Sequence, residues 1–133
     1  MANVRNLRDI IERLKTNWRG YIRQYHLLLI LTALAATADM VSTIYIMLVY
    51  GPEAEWHPTI RLLSTVFGPV LGPMAGKLWQ LAVVVALTVY LRFWARYIFV
   101  TVIFVYTWAA WYNIWGRFIY YPVILELLDS LHF

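Results

Sequence analysis

No cysteine occurs in this chain, which excludes disulfides, thiolate ligation of metals or iron–sulfur clusters, and a cysteine nucleophile. Charge is scarce too. Only 14% of the residues are Asp, Glu, Lys or Arg, against 62% hydrophobic and 17% aromatic. Soluble domains carry about a quarter charged residues, so composition argues against a water-soluble globular domain. Catalytic signatures are missing as well: there is no His-Glu-x-x-His zinc helix, no Gly-x-Ser-x-Gly elbow and no dinucleotide-binding glycine pattern. Gly72-x-x-x-Gly76-Lys77 is not a phosphate loop, having too few residues between its glycines and no Ser or Thr after the lysine.

What the chain does have is long apolar runs, the mark of an all-α integral membrane protein. About 20 helical residues cross a bilayer core, and three stretches qualify: 25–50, 73–91 and 97–115. The net charge of +4 is concentrated at the start, where six of the eleven Lys and Arg residues precede Tyr25 and only Asp9 and Glu12 oppose them. Basic residues beside a first span mark the cytoplasmic side and attract anionic lipid, a better reading than nucleic acid binding. Within residues 1–24, Val4, Leu7, Ile11, Leu14 and Trp18 recur at helical spacing, predicting an amphipathic helix on the cytoplasmic surface. Ala36-Thr37-Ala38 looks like a signal-peptide cleavage site, but the apolar pattern continues to Tyr50, so cleavage is not expected. Arg92 and Arg96 mark the return to the cytoplasm, and Pro122 opens a short helix over 122–133 that should lie on the outer surface. The transmembrane domain is then 25–121, with three crossings, a cytoplasmic N-terminus and an external C-terminus, which in a bacterium is periplasmic.

The polar residues inside these runs carry the functional argument. Asp39 lies near the middle of the first span, on a face with Thr32, Ala36 and Thr43, and a carboxylate there is costly unless protonated, paired or wetted. Proton transfer, ion binding and recognition of a partner stand as its functional readings, against a packing role through Thr43, Lys77 or Gln80. The stretch from Gly68 to Gln80 has glycines at 68, 72 and 76, an i, i+4 spacing that favours close helix approach. Pro69 and Pro73 pull the preceding glycines away from helical geometry. The expectation is a bent start over 68–72 followed by a packing ridge of Gly76, Gln80, Val84 and Thr88 against the Asp39 face. Before it, Pro58 opens a short re-entrant or interfacial helix over 58–67.

Three further groups are candidates. Glu53, Glu55 and His57 alternate in the outer loop and, if it is extended, face one side as metal ligands might, although solvated loop residues are the more ordinary reading and no metal is required by any motif. Trp108, Trp111 and Trp115 form one helical stripe that suits the membrane interface, and also suits a pigment, a quinone or a neighbouring subunit. His26, at the cytoplasmic end of the first span, is a candidate pigment ligand without a second intramembrane histidine to support a bis-histidine haem.

Taken in order, Asp39, Thr43, Gly51-x-Glu53, His57-Pro58 and Lys77 make a pattern that resembles small multi-span bacterial membrane proteins of unknown function, in which Asn-Pro is commoner than the His-Pro found here. The resemblance covers about Asp39 to Gln80. It implies a bacterial inner membrane and brings no activity with it. On sequence, the leading expectation is a non-catalytic accessory or assembly subunit of a larger inner-membrane complex of respiratory or photosynthetic type. Its partners are lipids and other membrane subunits or copies of itself. The alternatives are a homo-oligomeric channel or proton-coupled transporter using Asp39, and a membrane enzyme acting on lipid or quinone with Asp39, His57 and Lys77. The depths expected for those three residues differ, which counts against the last.

Overall fold

The computed structural model describes residues 2–116, their side chains from Asn6 onward. The helix expected over 122–133 lies outside the described residues. Within them the chain is all-helical, with no strand. Helix α1 spans Ala2–Trp18, α2 Tyr21–Tyr50, α3 Pro58–Tyr90 and α4 Ala95–Trp111, with 3-10 turns at Pro52–Ala54 and Arg92–Trp94 and a π-helical turn at Tyr112–Gly116. Three helical stretches are long and apolar enough to cross a membrane: Tyr21–Tyr50, Pro58–Tyr90 and Arg92–Gly116.

The first of these stretches begins at Tyr21, earlier than apolarity alone indicates, and Tyr21 is fully buried. Its hydroxyl lies 2.5 Å from Thr88 Oγ1. Thr88 directs its own proton to the Val84 and Val85 carbonyls, so Tyr21 is the donor. Tyr21, Tyr25, Val89, Ala95 and Phe99 form the apolar core at this end of the bundle. Their rings meet in a chain, with centroids 5.3 Å apart for Tyr21 and Tyr25 and 5.9 Å for Tyr25 and Phe99. Gly20, at φ 70°, makes the corner between α1 and α2, a left-handed position that glycine takes without a Cβ clash.

Arg92 locks that corner. Its guanidinium donates to the carbonyls of Asn17 and Arg19, each at 2.8 Å, and to Gln24 Oε1. These carbonyls sit where α1 runs out of intrahelical partners, so a planar cation with several donors is well suited to them. Asn17 returns the contact by donating to the Val89 and Tyr90 carbonyls, and the Arg13 guanidinium lies 4.6 Å from the Tyr90 ring centroid. On α1, Leu7, Ile10, Ile11 and Trp18 stay exposed, Trp18 with its ring stacked at 5.6 Å on that of Tyr21.

Helix α3 is two helices joined at Gly68, whose φ of 91° and ψ of 170° are outside helical geometry. That backbone region is essentially reserved for glycine, and Pro69 then starts the second arm as an N-terminal proline does. The chain folds back on itself there. A Cβ at Gly72 would lie 2.5 Å from Ser64 backbone atoms, and one at Gly76 would lie 3.2 Å from Ile60 Cγ1 and 3.5 Å from Leu63 Cδ1. The short arm, 58–67, therefore runs antiparallel against the long arm, 69–90. The break falls at Gly68 alone: Gly72 stays helical and Pro73 lies inside the long arm, so the bent start expected over 68–72 is confined to its first residue. Gly76 receives the short arm and not the Thr32, Ala36, Asp39 and Thr43 face. Gly72 belongs to this packing contact too, since only residues without a Cβ let two backbones approach so closely.

Candidate functional site

Folding the short arm back changes where Lys77 sits. The long arm starts at Pro69, so Lys77 is about 12 Å along it at a rise of about 1.5 Å per residue. That brings it level with Asp39, and Lys77 Nζ and Asp39 Oδ2 form an ion pair. Each residue is only 5% exposed. The ammonium also donates to Gln80 Oε1 at 3.0 Å and stands 4.2 Å from the centroid of the Tyr106 ring. Tyr106 donates its hydroxyl proton to the same Gln80 oxygen at 3.2 Å. Lys77 is thus compensated by a carboxylate, an amide oxygen and an aromatic face, which is what a buried cation needs to be tolerated.

A second polar group adjoins the first. Asn113, in the π-helical turn, donates to Ser42 Oγ at 3.0 Å and Thr43 Oγ1 at 3.2 Å. Ser42 in turn donates to the Asp39 carbonyl at 2.9 Å. A π turn widens the helix locally and redirects side chains, and here it aims Asn113 across at α2. Among the described residues, no buried polar side-chain atom lacks a hydrogen-bond partner.

These groups border an open cavity of about 740 Å³ lined by α2, the Ala54–His57 stretch, both arms of α3, α4 and the π turn. Asp39, Thr43, Lys77, Gln80, Tyr106 and Asn113 supply its polar wall, while Ile46, Ile60, Val102, Val105, Trp108 and Ala109 are among its apolar lining. Glu55 and His57 also line it. Asp39, His57 and Lys77, which simple depth counting kept apart, therefore converge on one space. So do five residues of the sequence pattern described above, Asp39, Thr43, His57, Pro58 and Lys77.

The remaining candidates are distributed as follows. Glu53 is exposed and does not line this cavity. Glu55 accepts the His57 backbone N–H on Oε1 at 2.8 Å, and Arg61 donates to the Glu55 backbone carbonyl, not to its carboxylate. Among the described residues, no three His, Cys, Asp or Glu side chains are grouped to share a metal ion. Gly76 touches the short arm and borders a second, smaller cavity. Of the tryptophan stripe, Trp108 reaches the cavity, whereas Trp111 and Trp115 are exposed and do not line it. His26 is exposed at the opposite end, its Nδ1 3.0 Å from the Arg23 carbonyl. Tyr106 and Ser42 were not singled out from the sequence. Tyr106 is one aromatic among many in an apolar run, and Ser42 lacks the cost signal that a charge carries.

Comparison of the chain with protein-family models, curated proteins and solved structures finds no match.

Proposed function

We propose that this chain is an inner-membrane protein of a bacterium, with a cytoplasmic N-terminus, that binds an uncharged amphiphile of the lipid or quinone class in the Asp39–Lys77 cavity. One observation carries the reading: a mostly apolar cavity whose wall gathers an ion pair, two amides and hydroxyls on one side. Small-molecule sites combine this apolar bulk with a few convergent polar groups. An uncharged head is favoured because Lys77 is already neutralised by Asp39 and Glu55 adds a further carboxylate, so an anionic head meets more repulsion than attraction. The orientation rests on the basic segment before Tyr25 and on Arg92, which packs at the same end. In that setting the segment 51–67 is a re-entrant loop: a descent through the Pro52–Ala54 turn and the extended backbone of Glu55 and His57, then the short arm climbing back to Gly68. Non-helical backbone at membrane depth is tolerated where it is buried in protein or lines a cavity, as His57 does here.

The experiment is a titration of the purified chain in detergent with a monoacylglycerol, a decyl-substituted benzoquinone and a lysophosphatidic acid of matched chain length. At least one uncharged head should bind roughly tenfold or more tighter than the phosphate head, a difference of about 1.4 kcal/mol. The double variant Asp39→Leu/Lys77→Met should weaken binding of the uncharged head while the chain still folds, because the polar groups that receive it are lost and Glu55 still repels a phosphate. Equal affinity for all heads, or unchanged affinity for the uncharged head in the double variant, would sink the reading.

The accessory-subunit reading stands second. The intramembrane polar faces find partners within the chain, which removes one motive for it, but the exposed stripe of Trp111 and Trp115 beside Trp108 offers a surface for a neighbouring subunit. Native electrophoresis after gentle solubilisation tests it, and a strictly monomeric chain with no co-migrating partner would count against it.

A further inference from the structure

The cavity described above does not end at Gln80 and Tyr106. A second cavity of about 320 Å³ shares His57, Ile60, Gln80 and Tyr106 with it and continues along the long arm of α3 past Gly76, Trp79, Val83 and Val84. The hydrogen bond from the Tyr106 hydroxyl to Gln80 Oε1 stands at the boundary between the two. On the far side of that bond no charged side chain lines the space, and its polar groups are those of His57 and Thr59 at the short arm. Gly76 contributes no side chain, and Trp79 and Val83 are exposed, 69% and 45% respectively. The larger space thus holds the ion pair, and the smaller one is an uncharged, mostly apolar slot that opens to the surface of the helix.

We propose that the slot is the tail subsite of the ligand, and that the protein takes a single-chain amphiphile: an uncharged, carbonyl-bearing head against Lys77 and Gln80, and one flexible chain passing beside the Gln80–Tyr106 bond along Gly76 and Val83 into the lipid. This rests on the amphiphile reading above and adds the number of chains and their path. The slot has less than half the volume of the main cavity, which suits one chain better than a pair side by side. A chain leaving by this route need not withdraw from the acyl region of the bilayer when its head binds. The head alone changes surroundings. Head specificity and chain number are therefore read by different residues, Lys77 and Gln80 for the one, Gly76 and Val83 for the other.

The test uses the full chain in nanodiscs with two photoactivatable probes, a monoacylglycerol and a decyl-benzoquinone, each carrying a diazirine at the chain end. A monoacylglycerol and a quinone share the head chemistry argued here, and whichever labels saturably identifies its source. Expected is labelling concentrated on the segment 76–84, competed by the unlabelled single-chain compound and roughly tenfold less well by diacylglycerol with the same head. Val83→Trp should abolish that labelling, because Val83 is half-exposed and its enlargement fills the slot without displacing the core. A methyl-substituted benzoquinone, which has no chain to place, should bind equally well to wild type and to Val83→Trp in a direct titration. Saturable label that instead falls on the segment 102–109, or label on 76–84 that survives Val83→Trp, overturns the tail subsite while leaving the amphiphile reading intact. Label that no unlabelled compound competes away at any position overturns both.

Discussion

At the scale of single residues, the pair of Asp39 and Lys77 is more informative about specificity than about stability. Desolvating two charges is costly, and their mutual attraction with added hydrogen bonds roughly offsets it, so an apolar pair of similar volume is often tolerated. Removing one partner is different, because a lone buried charge is left behind. Asp39→Asn or Lys77→Met alone is expected to destabilise the chain by about 3–5 kcal/mol, while Asp39→Leu/Lys77→Met together should recover most of that loss. Unfolding in mixed detergent micelles measures all three; equal losses in the single and double variants would contradict the argument. Tyr106→Phe should cost only about 0.5–1.5 kcal/mol, since Gln80 Oε1 keeps its contact with Lys77. Asp39 was legible in the sequence as the residue that most needed explaining, because a mid-span carboxylate carries its own energetic signal. Its partner was less legible. Lys77 reads as shallow when its span begins at Pro73, and becomes deep once the helix is seen to begin at Pro69.

At the scale of elements, α3 shows what a small-residue stripe can and cannot say. Glycines four apart announce a close approach, and a proline after glycine announces a break, so a bend and a close contact could be read in advance, but not that Gly68 alone breaks the helix or that Gly72 joins Gly76 in the contact. What approaches the ridge is a matter of tertiary arrangement. Here it is the short arm a few residues upstream, with Ser64 opposite Gly72 and Ile60 opposite Gly76. Gly72→Ala is expected to destabilise by about 1–3 kcal/mol or more, because its new Cβ meets backbone that cannot swing aside. Gly76→Ala should cost less, since the Ile60 side chain can shift by a few tenths of an ångström. Gly68→Ala has open space around it and should still cost about 1–3 kcal/mol from its backbone conformation alone. Thermal unfolding of the three variants gives the order; a Gly72 variant milder than the Gly76 one would refute the close antiparallel packing.

At the scale of the whole molecule, the described chain is held from its two ends by different chemistry. Near Gly20 it is an aromatic core and the Arg92 clamp; near Asp39 and beyond it is the polar cluster that borders the cavity. Arg92→Gln should release α1 without dissolving the bundle, because the Tyr21–Thr88 and Tyr25–Phe99 contacts do not involve it. Faster amide hydrogen exchange confined to residues 6–19, with the exchange of α2 and α4 unchanged, is the expected result. The three helical stretches long and apolar enough to cross a membrane were legible from hydropathy, because apolar length is a local property of the sequence. The cavity was not, since it exists only where α3 doubles back and α4 loosens into a π turn.

The ion pair also has a meaning for how the chain reaches its membrane. A carboxylate or an ammonium alone at the centre of a helix raises the free energy of insertion by about 2.5–3.5 kcal/mol. The helix bearing Asp39 is synthesised first, and its neutralising partner lies on the next crossing. The two helices are therefore best delivered to the lipid as a hairpin, with the first waiting beside the translocation channel until Lys77 has emerged. Nascent chains cut short before Lys77 should crosslink to the channel longer than chains cut after it, which would make this buried pair a timing signal in biogenesis as well as part of the cavity wall.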